Sequence, residues 1–128
     1  MFHASRYKFQ DANMKTITID AEGKKLGRVA SEAAHVLLGK DTTTVVKNMV
    51  ALVSVRVVNA SKILLDERKL SGKHYTRYTG YPGGLRSMTL REVIAKKGHT
   101  GALLRAVKGM LPRNKLRDLR LRRLIMSD

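Results

Sequence analysis

A strongly basic segment in the last part of the chain offers the clearest chemistry. Between Arg113 and Arg123, six of the eleven residues are Lys or Arg, and Asp118 is the one acidic residue among them. Such a charge density needs a polyanionic partner, because the segment otherwise repels itself. On a helix Arg113, Arg117 and Arg120 share one face, since positions i, i+4 and i+7 align. The segment therefore predicts a helix that binds phosphates, and a solvated basic face is the alternative.

A second group of residues combines aromatic rings, cations and glycines. Tyrosine rings stack on bases and sugars, and the cations contact phosphates, as in the recognition of single-stranded RNA. Glycines let the backbone approach a ligand closely and leave N–H groups free for phosphate oxygens. The alternative is a tyrosine-rich strand whose rings face the core. The candidate RNA-binding residues of this group are Lys73, Tyr75, Arg77, Tyr78, Tyr81, Gly83 and Gly84.

The composition agrees with a nucleic-acid partner. The chain has 128 residues, 26 of them basic and 10 acidic, a net charge of +16. A pI of about 10.7 together with clustered Lys and Arg is typical of nucleic-acid-binding domains. Residues 65–128 hold 16 basic and 5 acidic residues, whereas residues 1–64 hold 10 and 5, so the second half is the stronger candidate surface.

Catalytic, metal-binding and membrane functions find little support. The four histidines lack the spacing of a helical metal site, and there is no Cys. The adjacent carboxylates of Asp66 and Glu67 lie in a polar turn, and neither a nucleotide-binding glycine loop nor a nucleophile elbow is present. No apolar run approaches the roughly 20 residues of a membrane span, and the start resembles no signal peptide. We therefore expect no catalytic residue, metal, cofactor, small-molecule substrate or membrane partner.

Hydrophobic patterns indicate the elements of the first half. Residues 16–19 alternate as a strand does, and the apolar residues of 26–38 follow helical spacing up to Gly39, a candidate C-terminal cap. Residues 50–58 form the strongest strand, whose apolar start is typical of a strand covered on both faces. This order predicts a β-α unit in a parallel sheet.

The second half alternates short extended segments with helices. Residues 62–65 predict a weak strand before a charged turn at 66–69. Residues 73–79 are extended in character, and 80–84 must form a loop because of their Gly and Pro content.

Helix signals follow that loop. Thr89 and Glu92 form a capping box, and Gly98 ends the helix that starts there. A further helix runs up to Pro112, which separates it from the basic helix.

Five short motifs also occur in a specific order along residues 15–125. They are Ile19–Arg28, Leu37–Lys40, Val58–Ala60, Tyr78–Gly84 and Ala106–Pro112. In these motifs and their order, the sequence closely resembles the universal large-subunit ribosomal protein thirteen family, in its bacterial form. Each motif alone is weak, but five in order are highly specific.

The resemblance implies a fold and a role. The implied fold is an α/β domain, a three-layer α/β/α arrangement around a four-stranded, mostly parallel sheet with a basic C-terminal helical segment. It spans residues 14–128 after an N-terminal extension, 1–13, with Met14 as a second candidate for the first residue. The implied role is a non-enzymatic constituent of the large subunit in the cytoplasmic ribosome. Such a protein binds large-subunit ribosomal RNA beside neighbouring large-subunit proteins and joins the subunit early in assembly.

The family's RNA-contacting segments map onto three places in this chain. They are Lys40, the loop from Tyr78 to Gly84 and the segment from Lys108 to Arg117, which adds Asn114 and Lys115 to the candidates. A free RNA-binding regulator is the rival prediction, although no helix-turn-helix or zinc-finger pattern is present. An RNA-modifying enzyme is a weaker rival, because it needs a cofactor loop or catalytic cluster.

Overall fold

Three parallel strands form the main sheet in the computed structural model, which describes residues 14–43, 45 and 47–128. Strand β1 (Lys15–Asp20) pairs with β2 (Val53–Val58), which pairs with β5 (Leu124–Met126). The predicted first strand is confirmed, and the second starts three residues later than predicted. The predicted extension, residues 1–13, lies outside the described residues.

Helix α1 (Leu26–Leu37) connects β1 to β2, so the predicted β-α unit in a parallel sheet is confirmed. The helix ends where the sequence predicts. Gly39 has a φ of +75°, the left-handed conformation that glycine adopts without the steric cost of a Cβ atom.

The core lies between one face of this sheet and two helices. Helix α3 (Leu90–Met110) packs against α1, and both contribute to the same buried cluster as the sheet. The buried members of this cluster include Ile19, Val29, Ala33, Val55, Val57, Leu103 and Val107. Burial of these side chains, about 1.5–3 kcal/mol for each Val, Leu or Ile, is the main term holding the sheet to the helices.

The opposite face of the sheet is open at its centre. Thr18, Arg56 and Ile125 lie side by side across the three strands, and all three are exposed. The weak strand predicted at residues 62–65 is reduced to one parallel bridge between Lys25 and Leu64, because a 3-10 turn at Ala60–Lys62 takes up the start of that segment. The described part of the chain is therefore mixed α/β, and four strands in three layers are not confirmed.

A separate antiparallel hairpin precedes α3. Strand β3 (His74–Tyr78) was predicted, and it pairs with β4 (Leu85–Thr89), which was not. The turn predicted at 66–69 is wrong, since α2 (Glu67–Gly72) begins there. Arg68 and Lys69 favour helix, and backbone bonds to the Asp66 carbonyl close its first turn.

The beginning of α3 follows the sequence closely. The Glu92 backbone N–H donates to Thr89 Oγ1 at 3.3 Å, and the Thr89 N–H donates to Glu92 Oε2 at 3.4 Å, which confirms the capping box. Gly98 has a φ of +73° and a ψ of −177°, so α3 is two helical segments joined at the residue where one was predicted to end.

The basic helix is shorter than predicted. Helix α4 (Leu116–Leu121) starts after Asn114, whose Oδ1 accepts the Leu116 N–H at 3.1 Å. It ends before Leu124, because that residue begins β5 and pairs with Val55.

Candidate nucleic-acid interface

The hairpin presents its aromatic tip to solvent. Tyr78 is 62 % exposed, Tyr81 is 76 % exposed and Leu85 is 67 % exposed. Tyr78 and Tyr81 therefore do not face the core, which rules out the alternative interpretation for these two rings. Each leaves an aromatic surface on which a base can stack.

The strand register decides which side chains share a face of the hairpin. The Thr79 N–H donates to the Gly84 carbonyl at 3.2 Å, and the Leu90 N–H donates to the Lys73 carbonyl at 2.9 Å. Directly opposed residues of an antiparallel pair project from the same face. One face, here called the arginine face, carries the side chains of Tyr75, Arg77, Arg86 and Met88. Tyr78 and Leu85 project from the other face.

Tyr75 is the one tyrosine of the hairpin that is half-buried. The Arg105 guanidinium carbon lies 4.9 Å from the centre of its ring, and Lys73 Nζ lies 5.6 Å from it. At these distances both cations make cation–π contacts with the ring, which keep them beside the arginine face. Arg105 is missing from the sequence-based candidates, since it lies on α3 and only the packing of the hairpin brings it to Tyr75.

The two loop glycines are explained by the loop itself. Gly83 has a φ of +74°, which favours glycine. A Cβ atom on Gly84 would overlap Thr79 Oγ1 and would lie 2.9 Å from the Tyr81 carbonyl oxygen. The loop itself therefore accounts for both glycines, and a close approach of their backbone to a ligand stays a prediction.

The C-terminal basic segment is divided between surface and interior. Its exposed candidates are Lys108, Arg113, Asn114 and Lys115. Arg117 is half-buried, and Arg120 is only 3 % exposed. The prediction that Arg113, Arg117 and Arg120 share one helical face is corrected, because the helix begins at Leu116 and Arg113 lies outside it.

Three side-chain nitrogen atoms of this segment are buried. Nε of Arg117 and both Nε and Nη1 of Arg120 are buried without a hydrogen-bond partner among the described residues. Removing such groups from water without a new partner costs stability.

The candidate cations form no ion pairs within the described part of the chain. The ion pairs within the described ranges join Lys24 to Glu32 at 3.6 Å, Lys62 to Glu22 at 3.2 Å and Arg91 to Glu67 at 3.1 Å. None of these basic residues is a predicted RNA-binding residue. Lys40, exposed just after α1, likewise forms no ion pair there. The charge of the candidate surfaces is therefore free for an external polyanion.

The acidic residues have local structural roles. Asp20 Oδ1 accepts the side-chain amide of Asn59 at 2.9 Å and the Glu22 N–H at 3.0 Å, and these bonds lower the pKa of the Asp20 carboxyl below its ordinary value.

Within residues 14–43, 45 and 47–128, no group of three or more His, Asp or Glu residues could hold a metal ion. No helix in those ranges is long and apolar enough to cross a membrane.

Comparisons with known proteins show what the chain is similar to. The family model described as "Ribosomal protein L13" matches residues 14–126. The large ribosomal subunit protein uL13 of Caldanaerobacter subterraneus is 42% identical over 117 residues, which cover 91% of this chain and 81% of that protein. The protein of the same name from Clostridioides difficile is 45% identical over 114 residues, which cover 89% and 79%. That of Oleidesulfovibrio alaskensis is 45% identical over 117 residues, with coverages of 91% and 81%.

Proposed function

Because the chain belongs to the ribosomal protein L13 family, we propose that it is a structural, non-enzymatic constituent of the large ribosomal subunit. In this proposal it binds large-subunit ribosomal RNA, contacts neighbouring large-subunit proteins and supports early assembly of the subunit. Its location is then the ribosome, in the cytoplasm. The relatives' names support the ribosomal role, and the charge and geometry of the surface support the RNA contacts.

The observation that carries the RNA contacts is the set of exposed cations that have no carboxylate partner among the described residues and lie beside exposed tyrosines. Tyr78 and Tyr81 leave ring surface for bases. Lys73 and Arg77 lie on the same hairpin and contribute positive charge for phosphates. Gly83 and Gly84 allow the tight loop that presents the rings.

The other contacts come from the ends of the two long helices. Lys40 follows α1, and the exposed residues Lys108, Arg113, Asn114 and Lys115 lie at the end of α3 and beyond it. A contact from Arg120 requires α4 to move, since this side chain is 3 % exposed and its Nε and Nη1 atoms are buried. Arg117 is half-buried, and its Nε atom is buried without a partner among the described residues. RNA binding by Arg120 is therefore the most demanding part of the proposal.

The salt dependence of binding tests the proposal directly. The affinity should fall about a thousandfold between roughly 50 and 200 mM salt, because the release of counterions from the RNA becomes less favourable as the salt concentration rises. This estimate counts the six exposed candidate cations, which are Lys40, Lys73, Arg77, Lys108, Arg113 and Lys115. The measurement is the affinity for a large-subunit RNA fragment over a salt series. A flat dependence would contradict an electrostatic interface.

A matched pair of double variants locates the effect. Replacing Lys108 and Arg113 with Gln should weaken binding and reduce the slope of log affinity against log salt by about two, one for each phosphate contact. Replacing Lys24 and Lys62 with Gln removes the same charge from residues that pair with carboxylates. The second variant should keep the wild-type slope, and equal effects of both would mean that only net charge matters.

Sedimentation distinguishes a ribosomal constituent from a free RNA-binding regulator. A constituent should migrate with the large subunit at high salt, because many contacts and neighbouring proteins hold it. A regulator held by surface charge alone should leave the particle as the salt screens that charge.

A further inference from the structure

Arg77 and Arg86 lie directly opposite each other on the arginine face of the hairpin. Hydrogen-bonded and non-hydrogen-bonded pairs alternate along an antiparallel ladder. Backbone bonds join Thr79 to Gly84 and Lys73 to Leu90, so the arginine pair, two residues along each strand from Thr79 and Gly84, is a hydrogen-bonded pair as well. The Cα atoms of such a pair are about 5.5 Å apart, so both side chains leave the sheet side by side. Like charges in this position destabilise a hairpin.

No carboxylate in the surrounding described elements compensates this pair. Both arginines are exposed, and neither forms an ion pair or a side-chain hydrogen bond within residues 14–43, 45 and 47–128. On the elements next to the hairpin, Glu67 is paired with Arg91, and Glu92 closes the capping box. Arg105 adds positive charge to the same face, because its guanidinium lies over the ring of Tyr75.

We infer that Arg77 and Arg86 form a clamp that binds a single phosphate group of the RNA backbone between their guanidinium groups. The inference rests on the proposed function and adds to it the chemical group that is bound and a contact residue, Arg86. A guanidinium donates two parallel N–H bonds to a phosphate, and two such groups meeting at one anion cancel the repulsion between them. The clamp thus explains why two arginines face each other on an exposed hairpin although no described carboxylate pairs with them.

The clamp predicts a specific salt signature. The slope of log affinity against log salt counts neutralised phosphates and not cations. Arg77→Gln and Arg86→Gln should each weaken binding to a large-subunit RNA fragment about tenfold with little change in slope, because the other arginine still contacts the phosphate. The double variant should reduce the slope by about one.

Thermal melting of the free chain provides the second measurement. Each single variant removes the repulsion between the arginines, so its melting temperature should equal or exceed that of the wild type. Arg91→Gln is the charge-matched control, since Arg91 lies on α3 and pairs with Glu67. Its RNA affinity should stay within about twofold of the wild type, because the Arg91 charge is already paired with the Glu67 carboxylate, and losing this surface ion pair changes the fold little.

The possible results separate the clamp from the function on which it rests. A slope reduced by about one in each single variant and by about two in the double variant would assign the arginines to different phosphates and overturn the clamp alone. Variants that bind as the wild type does, or that melt at a lower temperature, would also overturn the clamp and leave the function standing. A wild-type chain that does not bind the RNA fragment would overturn both.

Discussion

Arg120 is expected to lower the stability of the free domain, so that Arg120→Met should raise it. The side chain is 3 % exposed, and its Nε and Nη1 atoms have no hydrogen-bond partner among the described residues. The charge is therefore removed from water, and no carboxylate in the described ranges pairs with it. Methionine replaces the flexible aliphatic part of the arginine side chain with an apolar one and carries no charge.

The size of the effect follows from the burial. Each unpartnered buried polar group costs about 1–3 kcal/mol, and replacing buried ionic groups with apolar residues of similar volume stabilises proteins by about 1–4 kcal/mol in favourable cases. We expect a gain of about 2 kcal/mol for Arg120→Met, near the middle of that range. For a chain of 128 residues this corresponds to a rise in melting temperature of roughly 8 °C.

Urea and thermal denaturation followed by circular dichroism measure this change. The midpoint should move to higher urea at an unchanged slope, which indicates a change in stability and not in the unfolded state. Arg122→Met is the control, because it removes the same charge from an exposed residue at the end of α4. Its effect should lie within about 0.5 kcal/mol of zero.

A loss of stability in Arg120→Met greater than about 1 kcal/mol would refute the reasoning, since it would show that the guanidinium is well satisfied where it lies. Incorporation of the same variant into large subunits, in competition with the wild type, tests the separate prediction that Arg120 contacts RNA. Undiminished incorporation would remove Arg120 from the interface.

Two further predictions concern local geometry. Gly84→Ala should lower the melting temperature of the free domain, because its methyl group overlaps Thr79 Oγ1, and adding Thr79→Ala should restore part of the loss; an unchanged melting curve for Gly84→Ala would contradict this. Asn59→Gly keeps the left-handed backbone, φ +57°, but removes the amide that holds the Asp20 carboxylate, so the Asp20 pKa should rise toward its ordinary value of 3.8 in an NMR titration. A lowered folded-state pKa contributes stability that is present above the ordinary pKa and is lost as the pH falls through the folded value, so the variant should lose part of this acid dependence. An Asp20 pKa that does not move would show that Asn59 is not its main cause.

Local signals in the sequence determined the elements whose causes lie within a few residues. The capping box at Thr89, the glycine at Gly39 and the proline at Pro112 each act through neighbouring backbone groups, and the structure has all three as predicted. The β1–α1–β2 unit was predictable for a similar reason, because its apolar spacing repeats over whole elements. The motifs in order also indicated the family, which the comparisons confirm.

Segments whose structure depends on a distant partner were missed. Strand β4 and strand β5 are short and lack a clear alternation, so pairing with β3 and β2 makes them strands. The charged residues around Glu67 favour a turn by their composition, although the short helix Glu67–Gly72 satisfies the same backbone groups.

The contacts of the candidate interface were decided only by the tertiary structure. The sequence shows that Arg77, Arg86 and Arg105 are cations, but the register of the hairpin places the first two opposite each other, and packing of α3 brings the third to Tyr75. A register shift of one residue would move a side chain to the other face of a strand, and no local pattern reports that choice. Arg120 is the clearest case. The sequence shows that this residue is charged, but the elements packed around it decide whether the charge contacts water, RNA or the protein interior.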